Sequence, residues 1–308
     1  MSAVLELPNP APALSATRPA GRTGLRQAIA AEWTKLWSVR STMWTLIATG
    51  VAVVGLGVLS TATLSHNEIV GDPTRRSLIG IFLGQLIFGV LGVLVMSAEY
   101  GTGTIRSTLS AVPRRTTVLT AKFLVFGGVA VVVSEALSFA AFGVGQAILS
   151  AKHALGTAEI LQQVQGGHVH QAIHKLPAGI SSLIATGSAS LGQPGVLRAV
   201  IGAGLYLAVL GLLALGLATI VRHTAGAIAA FVGVVLVLPL IVEALPQSLS
   251  DAVSRYLPAN VGMVLFSTNG APDRVYAAFS PWAGFGLLVL YTAVVAVCAG
   301  AVLTRRDA

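Results

Sequence analysis

Six apolar stretches, at 43–64, 78–98, 123–150, 199–221, 225–245 and 282–303, occupy almost half of the sequence. A run of about 20 apolar residues is what a helix needs to cross the hydrocarbon core of a bilayer, whereas a barrel strand needs about 10. Within that core a helix satisfies its own backbone, so runs of this length read as helices. The expected fold class is an all-α integral membrane protein with six transmembrane helices. Composition agrees: charged residues make up 10% and hydrophobic ones 55% of the chain, and the mean hydropathy is +0.82. So few charges cannot coat a soluble surface, which excludes a water-soluble enzyme of this size, and so much apolar surface excludes intrinsic disorder. The third stretch is long enough to predict tilt, a break or extension past the membrane. Gly80 and Gly84 give a small-xxx-small spacing, which predicts close helix packing and nothing more specific.

Residues 1–20 form a Pro- and Ala-rich tail without the basic start and short apolar core of a secretory signal, and disorder is expected there. Residues 21–308 are expected to form one six-span domain. The net charge of +8 suggests a nucleic-acid binder at first sight. The bases instead punctuate the gaps between apolar runs, so nucleic acid is not an expected partner and membrane lipid is. With an even number of spans both termini share a side, and twelve of the 19 Lys and Arg residues fall on it against seven opposite. Positive loops stay inside, so both termini are expected in the cytoplasm of a multi-pass plasma-membrane protein. The single cysteine, Cys298, lies in an apolar run and permits no intrachain disulfide.

Two elements on the expected cytoplasmic side depart from the surrounding apolar pattern. Residues 22–40 read as an amphipathic helix lying at the membrane surface, with Leu25, Ala28, Ile29, Trp33, Leu36, Trp37 and Val39 in one half of its wheel. Trp33 and Trp37 suit the headgroup level, and Arg26, Lys35 and Arg40 are placed to reach lipid phosphates. Glu32 falls inside the apolar arc, so it is expected to face a basic part of the protein. The second element is Glu99-Tyr100-Gly101-Thr102-Gly103-Thr104-Ile105-Arg106, running through Ser107–Val112 to Pro113-Arg114-Arg115. Its glycines permit a sharp turn, Thr104 or Ser107 suits a helix cap, and Pro113 suits a stop. A short helix there reads as a lever on two spans; the alternative is a basic loop facing lipid.

Glu99, Gly103-Thr104-Ile105, Pro113 and Lys122 stand at a spacing that resembles the permease subunits of type-2 ATP-binding cassette (ABC) transporters. The segment Glu32-Trp33-Thr34-Lys35-Leu36 with Ser38-Val39-Arg40-Ser41-Thr42 looks like the elbow before their first span. Pro194-Gly195-Val196-Leu197-Arg198 and Arg222-His223-Thr224-Ala225-Gly226-Ala227 resemble the actinobacterial branch. The likeness runs from about residue 24 to the end. It implies a permease that pairs with a second copy, as homodimer or heterodimer, and with a separate cytoplasmic ATPase that binds ATP and Mg. It implies export by alternating access, with 99–122 as the loop that touches the ATPase. Glu99, Gly103, Thr104, Arg106, Pro113, Arg114 and Arg115 would couple the two proteins, and Glu32, Trp33, Lys35, Trp37 and Arg40 would serve the interfacial helix. Residues 246–281 would match an outer re-entrant region turning at Tyr256–Asn260. The long 151–192 segment departs from the family's short outer connection.

The chain has no GxxxxGK[ST] loop and no Gly-Lys pair at all, so it is expected to bind no ATP itself and to be no enzyme; hydrolysis would belong to a partner. A membrane metalloenzyme is the rival class, resting on His168, His170 and His174 without a metalloprotease HExxH pattern; no resident metal is expected. Glu135, near the middle of the third span, is costly to bury as an anion and is expected to face the bundle or a wet cavity. It could carry protons in a secondary transporter, or form an interhelical hydrogen bond with Ser134, Ser138 or the surroundings of Gln146. A secondary transporter of that kind predicts inverted repeats, and the two halves show no convincing self-similarity. Phe82, Gln85, Glu135, Phe139 and Gln146 are the candidates to line a translocation path.

Overall fold

The computed structural model describes residues 24–63, 72–112, 114–165, 188–266, 268 and 279–305, without the side chains of residues 106, 109, 111 and 153–165. The tail 1–20, Pro113, the Arg106 side chain and the histidines at 168, 170 and 174 therefore lie outside the described residues. Every regular element among those described is helical. The chain is a multi-pass membrane protein in its architecture, with six helices long and apolar enough to cross a membrane.

The first span, α2 (Arg40–Ala62), is preceded by a separate helix, α1 (Leu25–Ser38). Val39 is extended (φ −91°, ψ 116°) and breaks the two apart, so α1 is no simple continuation of the span. A short helix α3 (Pro73–Ser77), capped by the Asp72 side chain on the Thr74 N–H, leads into α4 (Ile81–Gly101). Next come α5 (Thr104–Ala111) and α6 (Arg115–Gln165). At 51 residues α6 far exceeds a bilayer, and an apolar stretch long enough to cross one lies within Arg115–Lys152. The 24-residue inner loop read from the sequence at 99–122 is thus mostly helix: both flanking spans run past their apolar limits, and α5 fills the gap.

The fourth span, α7 (Val196–Val221), is the bundle's axis, packed against α4, α6 and α12 (Pro281–Arg305). Gly and Ala let these helices approach closely. A Cβ at Gly92 on α4 would strike the Gly211 carbonyl of α7, and one at Gly80 would strike the Val53 backbone of α2. The small-residue pair at 80 and 84 does serve packing, since both face Val53. The fifth span is α8 (Thr224–Val232), a widened π turn (Gly233–Val237) and α9 (Leu238–Glu243). Pro239 offers no N–H to the helix ladder, and the widened turn lies immediately ahead of it. A helical hairpin, α10 (Gln247–Ser254) and α11 (Pro258–Met263) with the 3-10 turn Val264–Phe266, folds back onto α7 and α12. It turns at 255–257, which overlaps the expected Tyr256–Asn260 only at 256 and 257; Pro258, Ala259 and Asn260 begin α11.

Candidate functional site

Where α1, α4, α5 and α6 converge, four charged side chains meet, Glu32, Glu99 and Lys122 buried and Lys35 partly exposed. On α1 the buried positions Ala28, Glu32 and Leu36 recur every four residues, so Glu32 shares the face that packs against the protein. On α6, Val118, Lys122, Val125 and Val129 share one buried face in the same manner. Lys122, only 2% exposed, donates to Glu32 Oε2 at 2.5 Å, to Glu99 Oε1 at 2.9 Å and to the Val95 carbonyl at 3.4 Å. Lys35 donates to Glu32 Oε1 and Glu99 Oε1, both at 2.9 Å, and to Thr108 Oγ1 on α5 at 3.2 Å. Each ammonium thus uses its three donors, and the four charges sum to zero. Desolvation lowers the Lys35 pKa, but the hydrogen bonds and negative charge of Glu32 and Glu99 outweigh it and hold the group above its ordinary 10.5.

This cluster positions α5. Gly103 precedes the helix with φ +71°, a left-handed conformation that favours glycine although a Cβ there would meet only open space. The chain therefore needs the torsion, not the room. Gly103 stands at the N-cap position without a side-chain cap, so neither Thr104 nor Ser107 caps the helix as expected. Thr104 exchanges a 2.9 Å hydrogen bond with Thr102, and Ser107 and Thr108 donate to the Thr104 carbonyl. Ile105 is buried in the main core and pins the other side of the helix.

The predicted residues divide. Glu32 does face basic groups of the protein. Lys35 turns inward to the carboxylates, away from the lipid phosphates first expected for it, because two buried anions hold it more strongly than a solvated headgroup would. Glu99 is buried in the same cluster, away from a surface that a partner protein could touch. Trp33 and Trp37 remain exposed, edge to face at 5.7 Å, as does Arg40. Arg114 is exposed, whereas Arg115 donates to the Leu303 carbonyl at 3.0 Å. Arg222, over the Tyr100 ring at 5.6 Å, donates to the neighbouring Val302 carbonyl at 3.2 Å. Two arginines thus cap the last turn of α12, where helix carbonyls lack partners.

The five path candidates do not gather. Gln85 is buried and accepts from the Tyr206 hydroxyl. Gln146 bridges the other end of the bundle, donating to Ser77 Oγ at 2.9 Å and the Pro73 carbonyl at 3.1 Å and accepting from the Ala189 N–H at 2.6 Å. Phe82 packs half-buried on the core and Phe139 is exposed. Glu135 lies against Gly204, with both carboxyl oxygens buried and without a side-chain hydrogen-bond partner. The expected bonds from Ser134 and Ser138 go elsewhere: these serines donate to the Gly204 and Val200 carbonyls at 2.7 and 2.6 Å. Among the described residues no three His, Cys, Asp or Glu side chains are grouped to hold a metal ion.

Lys122 and Thr108 stand outside the residues expected to couple or to serve the interfacial helix, although Lys122 is among those that carry the family resemblance. Lys122 had a signal, since it shares a helical face with Val118, Val125 and Val129; Thr108 had none. In comparison with known proteins, the chain matches no family model and no curated protein at a significant level.

Proposed function

We propose that this chain is the permease subunit of an ATP-driven exporter of the type-2 ABC class. The observation that carries the reading is a short helix, α5, set between two spans and tied through Thr108, Lys35, Glu32, Lys122 and Glu99 to α1, α4 and α6. A push on α5 is delivered to three helices through charged contacts that resist stretching. In this reading the α5 end and both termini face the cytoplasm, and α1 is the interfacial pivot with Trp33 and Trp37 at the headgroups. A separate ATPase, holding ATP and Mg, docks on α5, and a second permease copy completes the path. Gly103, Thr104, Arg106 and Arg114 belong to the docking side. Glu99 and Lys122 are positioning residues, acting through the helix they hold.

Gentle extraction of the tagged chain from native membranes tests the proposal. The expected result is a stoichiometric protein carrying a phosphate-loop motif, lost when Gly103→Pro distorts the entry to α5. A preparation without an ATPase that still transports in response to a proton gradient would overturn it. That second result is the outcome favoured by the buried carboxyl of Glu135, which meets no side-chain donor, and Glu135→Gln would then abolish transport.

A further inference from the structure

A cavity of about 370 Å³ opens beside the charged cluster, between α1, the start of α2, the end of α4 and α6. One part of its wall is apolar: Leu36, Val39, Leu94, Val95, Val125 and Phe126. The other is the cluster itself, and exposed Ser38, Ser41, Thr102 and Thr104 stand at the rim. Its volume is at the small end of ligand sites, enough for a headgroup and the first methylenes of a chain. It lies where α2 begins and α4 ends, the depth at which lipid heads meet acyl chains.

The hydrogen-bond inventory says what kind of head fits. Both ammonium groups have used all three donors, so no free cation is left to attract a phosphate. Glu32 has both oxygens engaged and Glu99 has Oε1 engaged twice. Glu99 Oε2 is buried and meets no donor among the described residues, in a side chain only 9% exposed. A buried carboxylate oxygen without a donor is costly; Oε2 is closed to the cavity as the side chain stands, and a turn of the soft terminal torsion of Glu99 presents it to a donor there while shifting Oε1 against Lys35 and Lys122. The missing group is therefore a donor, and a positively charged one gives the strongest bond.

We propose that this cavity binds a membrane lipid by its primary ammonium head, which donates to Glu99 while the upper part of an acyl chain lies on Leu36, Leu94, Val95 and Phe126. The lipid phosphate stays at the rim. The inference does not depend on an ATPase partner, because it rests on the cavity and on one unfilled acceptor.

The test is native mass spectrometry of the full chain released from nanodiscs of equal phosphatidylethanolamine, phosphatidylcholine and phosphatidylglycerol with matched acyl chains. Ethanolamine and choline heads carry the same charge, but only the first has N–H donors. The expected result is about tenfold enrichment of phosphatidylethanolamine over phosphatidylcholine in the most tightly retained lipid, the scale of one charge-assisted hydrogen bond. Equal retention of the two, or enrichment of phosphatidylglycerol, overturns the proposal. Leu94→Trp, which fills the cavity from outside the charged cluster, is expected to abolish the enrichment in a protein that remains monodisperse. Enrichment that persists in that variant places the lipid elsewhere and also overturns it.

Discussion

The two ends of the bundle are built on different chemistry. At one, each of two ammoniums lies within 3 Å of both of two carboxylates, and the cluster, with the Lys35–Thr108 hydrogen bond, joins α1, α4, α5 and α6. At the other, one neutral amide, Gln146, joins α6 to α3 and to the Ala189 backbone. Both joints span long stretches of sequence, and both are buried apart from Lys35. They differ in what remains when a member is lost. Removing a neutral partner leaves a polar group unsatisfied, whereas removing a charged one leaves an ion in a poor solvent. The charged joint is therefore the more selective clamp, because nearby arrangements of the four helices leave an ion uncompensated.

Breaking the comparison at its strong side gives the largest effect. Lys122→Met leaves Glu32 and Glu99 to share Lys35 as their one remaining cation, with one negative charge uncompensated, and is expected to cost about 3–5 kcal/mol, read as a lower unfolding midpoint in detergent. Adding Glu32→Gln to that variant restores the charge balance between Lys35 and Glu99 and is expected to recover part of the loss; a double variant less stable than the single one would refute the clamp. At the neutral end, Gln146→Leu strands the Ala189 N–H and is expected to cost about 1–3 kcal/mol. A cost as large as that of Lys122→Met would erase the distinction between the ends.

The smallest effect belongs to Lys35, whose side chain is 41% exposed. Solvent screening holds the cost of Lys35→Met to roughly 1 kcal/mol or less. Its pKa is raised by the two carboxylates, so its contribution is complete below 10.5 and fades as the pH climbs through the raised value. The stability difference between the parent and Lys35→Met is thus expected to stay flat from about pH 6 to 9 and to shrink in the alkaline range. A difference that grows with alkalinity would reverse the sign of the argument.

Span number and approximate position were legible because apolar length is a local property. The ends were not. Arg115 and Lys122 look like loop residues until distant partners, the Leu303 carbonyl and Glu32, provide for their charge inside a helix. Glu32 announced itself by standing in an apolar arc, but its partner Lys122 is 90 residues away and no pattern within α1 names it. Glu99 was legible as important through its setting at a span end, and its burial was not, since burial depends on α1 returning across α4 and α6. Among the path candidates, Gln85 and Gln146 read as polar residues in apolar runs; the structure spends both on tertiary hydrogen bonds.

The π turn in the fifth span has a mechanical consequence. Of the six long apolar helices, this one carries a widened turn, at Gly233–Val237, with Pro239 just beyond it, and α11 of the helical hairpin rests against that turn. A rod with one missing rung yields at the gap before it yields elsewhere. Force applied through the hairpin reaches α8 as a bend at residues 233–237, and the arginine-held turn at 222, at the far end of the same rod, is left where it stands.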